Sequence, residues 1–362
     1  MPTTIYMRVD PRHDHSLRVP RPDVSQRLGT PNACNKCHAD KTSQWAAQWA
    51  RRWYPKLEQR PTALAEALDA VDKSTIDANS RLLEVIGDPA MPAIARASAL
   101  ARLPADRVPG LSGRITTMLA DTDPLIRRAA VEALAGTPPS LRRQWLPRLL
   151  DDPIKGVRLS AARWLADVPM TMLDIAIRTR FRTVIDEYIA VQQFNADRPE
   201  AYNNLGTLFA DQGDWAKAES ALKMAVQIAP ELSVSKLNLA DVYRATGREE
   251  EAQSLLNAVI QDNPQDAVAH HALGLSMIRQ HRIEGAKEFL RKAMRLAPQN
   301  AHYRYVYAVA LNETGRRQEA IKELKAGLKS HPDHRESIDA MVALCRQLRD
   351  EGCARLYSGR WR

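Results

Sequence analysis

Cys34-Asn35-Lys36-Cys37-His38 places two thiols three residues apart, with an imidazole directly after the second. Two thiols at this spacing can add across the two vinyl groups of a porphyrin, and the next histidine then reaches the iron as an axial ligand. The spacing is therefore the attachment signature of haem c. Two other chemistries use the same residue types. A zinc site could combine Cys34 and Cys37 with His38, His13 or His15. A redox pair of cysteines normally opens a helix inside a βαβ unit, and no such pattern surrounds these two. Upstream, His13 and His15 in RHDHSLRVPRPD offer a second axial ligand, which would leave the iron six-coordinate and suited to electron transfer. Downstream, Trp45, Trp49 and Trp53 recur every fourth residue and fall on one face of a helix. They could pack on a porphyrin edge or seal their helix onto the next one.

The rest of the chain supplies no competing chemistry. No Ser-His-Asp set, phosphate-cradling glycine loop or HExxH helix is present, so no catalytic residue is assigned. His270, His271, His281, His302, His331 and His334 fall at repeat or turn positions and read as structural. Cys345 and Cys353 read as packing residues in a terminal capping helix. Net charge is +9, and residues 1–60 hold eleven Lys/Arg against five Asp/Glu. The excess is scattered among Pro, Asp and His without a dense run or interleaved aromatics, which argues against a nucleic-acid surface. With 44% apolar and 26% charged residues the balance is that of a globular protein. No stretch approaches the roughly 20 apolar residues that a membrane span needs.

The elements that must carry this segment are repeats. Pro230, Pro264, Pro298 and Pro332 are 34 residues apart. Ala218, Ala252, Ala286 and Ala320 keep the same step, as do Leu205, Leu239, Leu273 and Tyr307. Small residues follow the last series at Gly206, Ala240, Gly274 and Ala308. Gly213, Gly247 and Gly315 share a turn position at which His281 stands in. Small residues at fixed positions let two helices approach, a glycine ends the first helix, and a proline is expected to open the next pair. The pattern resembles the tetratricopeptide repeat, with four full repeats over residues 199–332. Residues 181–196 look like the second helix of a leading half-repeat, and residues 335–357 like a capping half-repeat. Residues Asn203, Asn204, Leu237, Asn238, His271, Ala272, Tyr305 and Val306 occupy the groove positions where a carboxylate clamp would need Lys or Arg. That clamp is excluded.

A second period of 31 residues lies upstream, in Arg96, Arg127 and Arg158, in Ala99, Ala130 and Ala161, and in Leu103, Leu134 and Leu165. Asp88-Pro89, Asp123-Pro124 and Asp152-Pro153 precede its helices, the Asp expected as cap and the Pro as first helical residue. ITTMLA and WLPRLL are expected as partner helices. This resembles short HEAT-type repeats. The expected fold is all-α: a haem-binding segment over 1–60, HEAT-like repeats over 61–170, and tetratricopeptide repeats over 181–357, stacked as an α-solenoid.

Residues 1–54 resemble the last haem-binding segment of periplasmic multihaem c-type cytochromes, in which HEAT-like and tetratricopeptide repeats follow the haem domain. The resemblance is most specific at Asp14-His15-Ser16, Pro20-Arg21-Pro22-Asp23, Gly29-Thr30-Pro31-Asn32-Ala33-Cys34 and Cys37-His38. It implies thioethers at Cys34 and Cys37, His38 as proximal ligand and His15 as distal ligand, to this haem or another. It further implies redox partners or additional haem domains docked on the repeats. In that family a Cys-His of an earlier haem motif precedes the equivalent of Met1-Pro2, so the chain is expected to be the C-terminal part of a longer exported protein. A haem-loaded form belongs in the periplasm and a haem-free scaffold in the cytoplasm. The alternative function is a non-enzymatic interaction scaffold whose CxxCH is a zinc site or a relic.

Overall fold

In the computed structural model the chain divides into two compact units, Met1–Asp186 and Glu187–Arg362. Residues 3–6, 10–13, 20–59, 61–73, 75, 77–103 and 111–359 are described.

The first unit opens on an antiparallel hairpin, β1 (Thr3–Tyr6) and β2 (Asp10–His13), with Thr3 opposite His13 and Tyr6 opposite Asp10. Apart from this short hairpin the described elements are helical, as the all-α expectation has it. Two threonines, Ile5 and Tyr6 favour a strand, and Pro11 is incompatible with a helix interior. Among the described residues ten α-helices follow: α1 (Pro22–Leu28), α2 (Ala33–Cys37), α3 (Ser43–Trp53), α4 (Ala63–Asp72), α5 (Ala78–Gly87), α6 (Ala93–Ala101), α7 (Leu111–Met118), α8 (Pro124–Ala133), α9 (Pro139–Trp145) and α10 (Lys155–Leu165). The 31-residue register is carried by burial: Ala99, Ala130 and Ala161 lose all solvent contact, and Leu103, Leu134 and Leu165 are buried beside them. The arginines of the same register form a ladder. Arg96 donates to the Ile86 carbonyl and pairs with Asp121. Arg127 grips both oxygens of Asp152 at 2.7 and 3.0 Å and donates to the carbonyls of Asp121 and Thr122. Each rung joins one helix to the loop 25 residues on. Burial of both partners makes the Arg127–Asp152 rung worth more than a surface pair.

Two local expectations are corrected here. Asp123 caps α8 with Pro124 as its first residue, but α6 begins at Ala93 and α10 at Lys155, beyond their Asp-Pro pairs. What the three pairs share is an Asx turn: Asp88, Asp123 and Asp152 each accept from the amide two residues on, at 2.8–2.9 Å. WLPRLL is not an α-helix, because Pro147 ends α9 and leaves a 3-10 turn over Pro147–Asp151.

The 20-residue helix α11 (Ile175–Phe194) crosses the boundary between the units. Five helix pairs follow: α12 (Pro199–Asp211) with α13 (Trp215–Ile228), α14 (Ser233–Ala245) with α15 (Glu249–Asp262), α16 (Ala267–Arg279) with α17 (Ile283–Leu296), α18 (Ala301–Glu313) with α19 (Arg317–Ser330), and α20 (Arg335–Gln347) with α21 (Glu351–Ser358). The expected terminal half-repeat is therefore a fifth pair. Its signal was masked because Arg349 stands where the series asks for glycine. Gly213, Gly247, His281, Gly315 and Arg349 all have φ between 58 and 78°. At each, the following amide donates to the carbonyl five residues back, at 2.8–2.9 Å, as Asp214 does to Phe209 and Asp350 to Cys345. This is the Schellman closure of a helix end.

The 34-residue prolines do not open helices, which corrects that expectation; α14, α16, α18 and α20 start three residues after them. They end the preceding helix instead. A residue before proline is forced out of the helical region. Ala229, Asn263, Ala297 and His331 accordingly lie at φ −129 to −137° and ψ 68 to 89°. Each proline then turns the chain, with its predecessor's carbonyl accepting from residue 232, 266, 300 or 334.

Leu205, Leu239, Leu273 and Tyr307 are buried as expected, and Ala218, Ala252, Ala286 and Ala320 sit at 0–2% exposure. Cys345 and Cys353 depart from their reading as packing residues: they form a disulfide. Eight residues span the turn between α20 and α21, which brings their Cα atoms to 5.7 Å, inside the range a disulfide needs.

Close approach within a pair depends on the small position. A Cβ built on Gly206 would lie 2.4 Å from Leu222 Cγ, and one on Gly274 2.7 Å from Leu290 Cγ. Gly206→Ala is expected to lower stability by about 1–3 kcal/mol through overpacking, even though alanine is the better helix former. Adding Leu222→Ala removes the overlap, so the double variant should lose less than the two singles together. Thermal and urea unfolding of the three variants measures this; strict additivity would refute the close-approach account.

Candidate functional site

The CxxCH segment is held from behind by polar contacts. Arg21 grips Asp23 through its Nε at 2.9 Å and its Nη2 at 2.7 Å, at the start of α1. Asp23 is 4% exposed, and the Arg21 hydrogen bond holds its carboxyl below the usual carboxylate range. Gly29, at φ 74°, closes α1 and returns the chain over it. Ser25 Oγ donates to the Pro31 carbonyl at 3.4 Å. Asn32 then caps α2, accepting from the Asn35 amide at 3.1 Å. The Asn35 side chain donates to the Lys41 carbonyl at 2.6 Å and the His38 carbonyl at 3.3 Å, closing the loop that follows. The residues flanking the motif thus form a rigid collar around its single helical turn.

On that turn Cys34 and Cys37 are both free thiols, Cys34 half-buried and Cys37 exposed. One helical turn puts them on the same face. His38 ends α2 with an exposed side chain, its ring 5.0 Å from Trp45. The inner face of α3 is alanine: Ala46, Ala47 and Ala50 are buried, and α3 packs against α1. Trp49 and Trp53 therefore do not seal the helix, and Trp45 is half-buried. Trp49 is 36% and Trp53 63% exposed, with rings 5.7 Å apart and the Arg52 guanidinium over Trp49. An outward aromatic stripe beside an exposed imidazole and two thiols is a surface suited to a flat apolar group. Cys34, Cys37 and His38 meet the donor requirement of haem c; they have the right types, are accessible and share one turn. His13 lies on β2, and His15 falls outside the described residues. Among the described residues, three metal donors converge to within 4.8 Å only at His302, His334 and Glu336, in the second unit.

In the second unit a cavity of about 390 Å³ opens between α14 and α16, lined by Leu237, Arg244, Val268, His271, Leu275 and Arg279 among others. Leu237 and His271 are groove positions at which a carboxylate clamp was excluded. The cavity's two arginines are already engaged, Arg279 with Glu249 at 2.7 Å and Arg244 with Asp241 at 3.2 Å. The groove thus presents an apolar floor with compensated charge. Further along, Asn238 donates to Asn203 at 2.9 Å, so two other groove asparagines are tied to each other. Sequence reasoning located these positions but not the cavity, which depends on the angle between successive pairs.

Models of the tetratricopeptide repeat match residues 178–233, 209–275 and 277–345. Anaphase-promoting complex subunit CDC16 of Saccharomyces cerevisiae is 26% identical over 110 residues, covering 28% of this chain and 13% of that protein. Cellulose synthase operon protein C of Komagataeibacter sucrofermentans is 30% identical over 118 residues, covering 33% and 9%. The chain thus spans about a tenth of the length of these curated relatives. Among solved structures, the MamA protein aligns with 45% of this chain and 87% of its own at 18% identity and a TM-score of 0.38. YrrB, described as a TPR protein with an unusual peptide-binding site, aligns with 48% and 89% at 14% identity and a TM-score of 0.39. The matched family models lie wholly within residues 178–345.

The collar generates a prediction. A carboxyl held below its unfolded value of about 3.9 contributes stability that is present above that pH and lost as pH falls through the folded value. Asp23→Asn is expected to cost about 1–3 kcal/mol at pH 7, where it removes the buried charge that the Arg21 guanidinium grips. The gap to the wild type should narrow at pH 3. Hydrogen exchange of the α1 and α3 amides at the two pH values reads it; equal protection at pH 7 would refute the collar. Residues 178–345 of the chain are a tetratricopeptide-repeat array.

Proposed function

We propose that the chain is an electron-transfer module holding one haem c on Cys34, Cys37 and His38, carried by a helical-repeat scaffold that docks partner proteins. The observation that carries the reading is the pair of accessible thiols on one turn of α2, followed by an exposed His38 set against an outward tryptophan stripe. Haem, when attached, supplies the redox centre. The chain's own residues anchor it through two sulfurs, offer an imidazole to the iron and cover one edge with indole. His15, or His13 on β2, is the candidate for the second axial position. The array at 178–345 is the docking scaffold, its apolar groove at Leu237, Val268 and Leu275 suited to an apolar side chain of the partner. Residues 61–170 are read as HEAT-like repeats, a reading supported by the buried 31-residue register and its arginine–aspartate ladder.

The Cys345–Cys353 disulfide supports an oxidising compartment, and so a periplasmic site, because such bonds are rare where thiols are kept reduced. Covalent haem attachment has the same requirement. The competing reading is a scaffold with zinc bound at CxxCH.

Expression with an export signal and the haem-maturation machinery tests the proposal. The expected product is red, retains haem through denaturing electrophoresis, and has no thiol titratable without reductant. Cys34→Ser with Cys37→Ser should abolish the stain while leaving the helical spectrum unchanged. A colourless product with two reactive thiols would overturn haem attachment. Stoichiometric zinc lost on the same double substitution would establish the zinc scaffold instead.

A further inference from the structure

The histidines of the second unit fall at repeat positions, and each has a local structural explanation. Two of them nevertheless converge with a carboxylate. His302 lies in the first turn of α18, Glu336 at the equivalent position of α20, 34 residues on, and His334 is the N-cap of α20. His334 Nε2 lies 3.4 Å from one Glu336 oxygen, and His302 Nδ1 lies 4.0 Å from the other. The donor atoms of all three residues fall within 4.8 Å of one another. We propose that His302, His334 and Glu336 form a binding site for a divalent transition metal of the zinc class, bridging the fourth and fifth helix pairs.

Two imidazoles and one carboxylate are the donor set that zinc and its neighbours prefer over magnesium or calcium. Arms of about 2.05 Å at the tetrahedral angle put donors roughly 3.4 Å apart. The His334–Glu336 separation already has that value. His302, whose donor atom lies within 4.8 Å of the other two, must close toward them, which a side chain 49% exposed can do by rotation. Three protein donors leave a further position for water or for a side chain of a docked partner.

The surroundings fit a metal ligand better than an ion pair. His334 Nδ1 lies 2.8 Å from Ser337 Oγ. With Nε2 on a metal, Nδ1 must carry the proton, and the Ser337 hydroxyl is placed to accept it, the outer contact that orients a ligating imidazole. The cap bond from the Ser337 amide to Nδ1, at 3.3 Å, is the weaker of the two contacts and is the one given up. His302 lies in the first turn of α18 with an exposed side chain, free to turn toward the other two donors. A third imidazole closes the inner side. His271 is 9% exposed, its ring is 5.6 Å from that of His302, and its Nδ1 has no hydrogen-bond partner among the described residues.

The test uses the full chain with Cys34→Ser and Cys37→Ser, which removes the other set of metal donors and makes the result independent of the haem reading. Zinc alone is titrated in competition with a chromophoric chelator, and unfolding is followed with and without it. The expectation is one equivalent bound and a raised Tm. His302→Ala, Glu336→Gln and His334→Asn should each weaken binding about tenfold or more. Asparagine is a strong N-cap, so His334→Asn keeps the metal-free Tm and separates loss of a ligand from loss of the cap. If the parent binds no zinc, or if His302→Ala and His334→Asn bind it as tightly as the parent, the site does not exist.

Discussion

The second unit depends on two helices being able to touch where a side chain would keep them apart. At Gly206 and Gly274 the leucine of the partner helix occupies the space a Cβ would need. Ala240 and Ala308 serve the same position in the alternate pairs and are buried to 3% and 0%. Once that distance is set, the turn that follows has little freedom. It must reverse the chain in three residues, which the left-handed residue and the Schellman bond achieve. The proline turn then fixes where the next pair starts. Close approach, left-handed closure and proline break recur together because each presupposes the other two.

The first unit solves the same problem with charge. Its helices are shorter, and the alanines at 99, 130 and 161 bring little apolar area. Register is instead enforced by guanidinium groups reaching the next loop, most completely at Arg127 and Asp152. Aspartates that close Asx turns receive those arginines, so turn geometry and ladder are one feature. The CxxCH segment is built in the same manner. Polar contacts at Asp23, Ser25, Asn32 and Asn35 hold the turn of α2, and alanines hold α3, which leaves the thiols, the imidazole and the indoles facing outward.

Much of this was legible in the residues, and the failures have physical causes. The 34-residue period located every helix pair of the array except the last, where Arg349 adopts the left-handed conformation without being glycine. Composition cannot reveal that substitution; the bond from Asp350 to Cys345 can. The prolines were assigned to helix starts because proline is tolerated there, but the constraint that operates is on the residue before them. Cys345 and Cys353 gave no signal as a pair, since eight residues mean contact only if a turn lies between them. The tryptophan stripe was read correctly as one face of a helix. Which way it faces required knowing that three alanines suffice to bury the other.

The same reasoning explains why histidines at structural positions can also bear chemistry. Residues 266, 300 and 334 are equivalent caps, occupied by Asp, Asn and His, and each accepts a backbone amide with its side chain. Aspartate and asparagine spend their oxygens near the helix they cap. An imidazole has a second nitrogen on the far side of its ring, which points away from the cap. For His334 that nitrogen faces Glu336 of its own helix, with His302 of the neighbouring fourth pair beyond it. A repeat constrains one atom of a side chain at each position. Where the residue has another atom to offer, the repeat brings it beside its neighbours, as it brings His334 and Glu336 at the start of α20 to His302 at the start of α18.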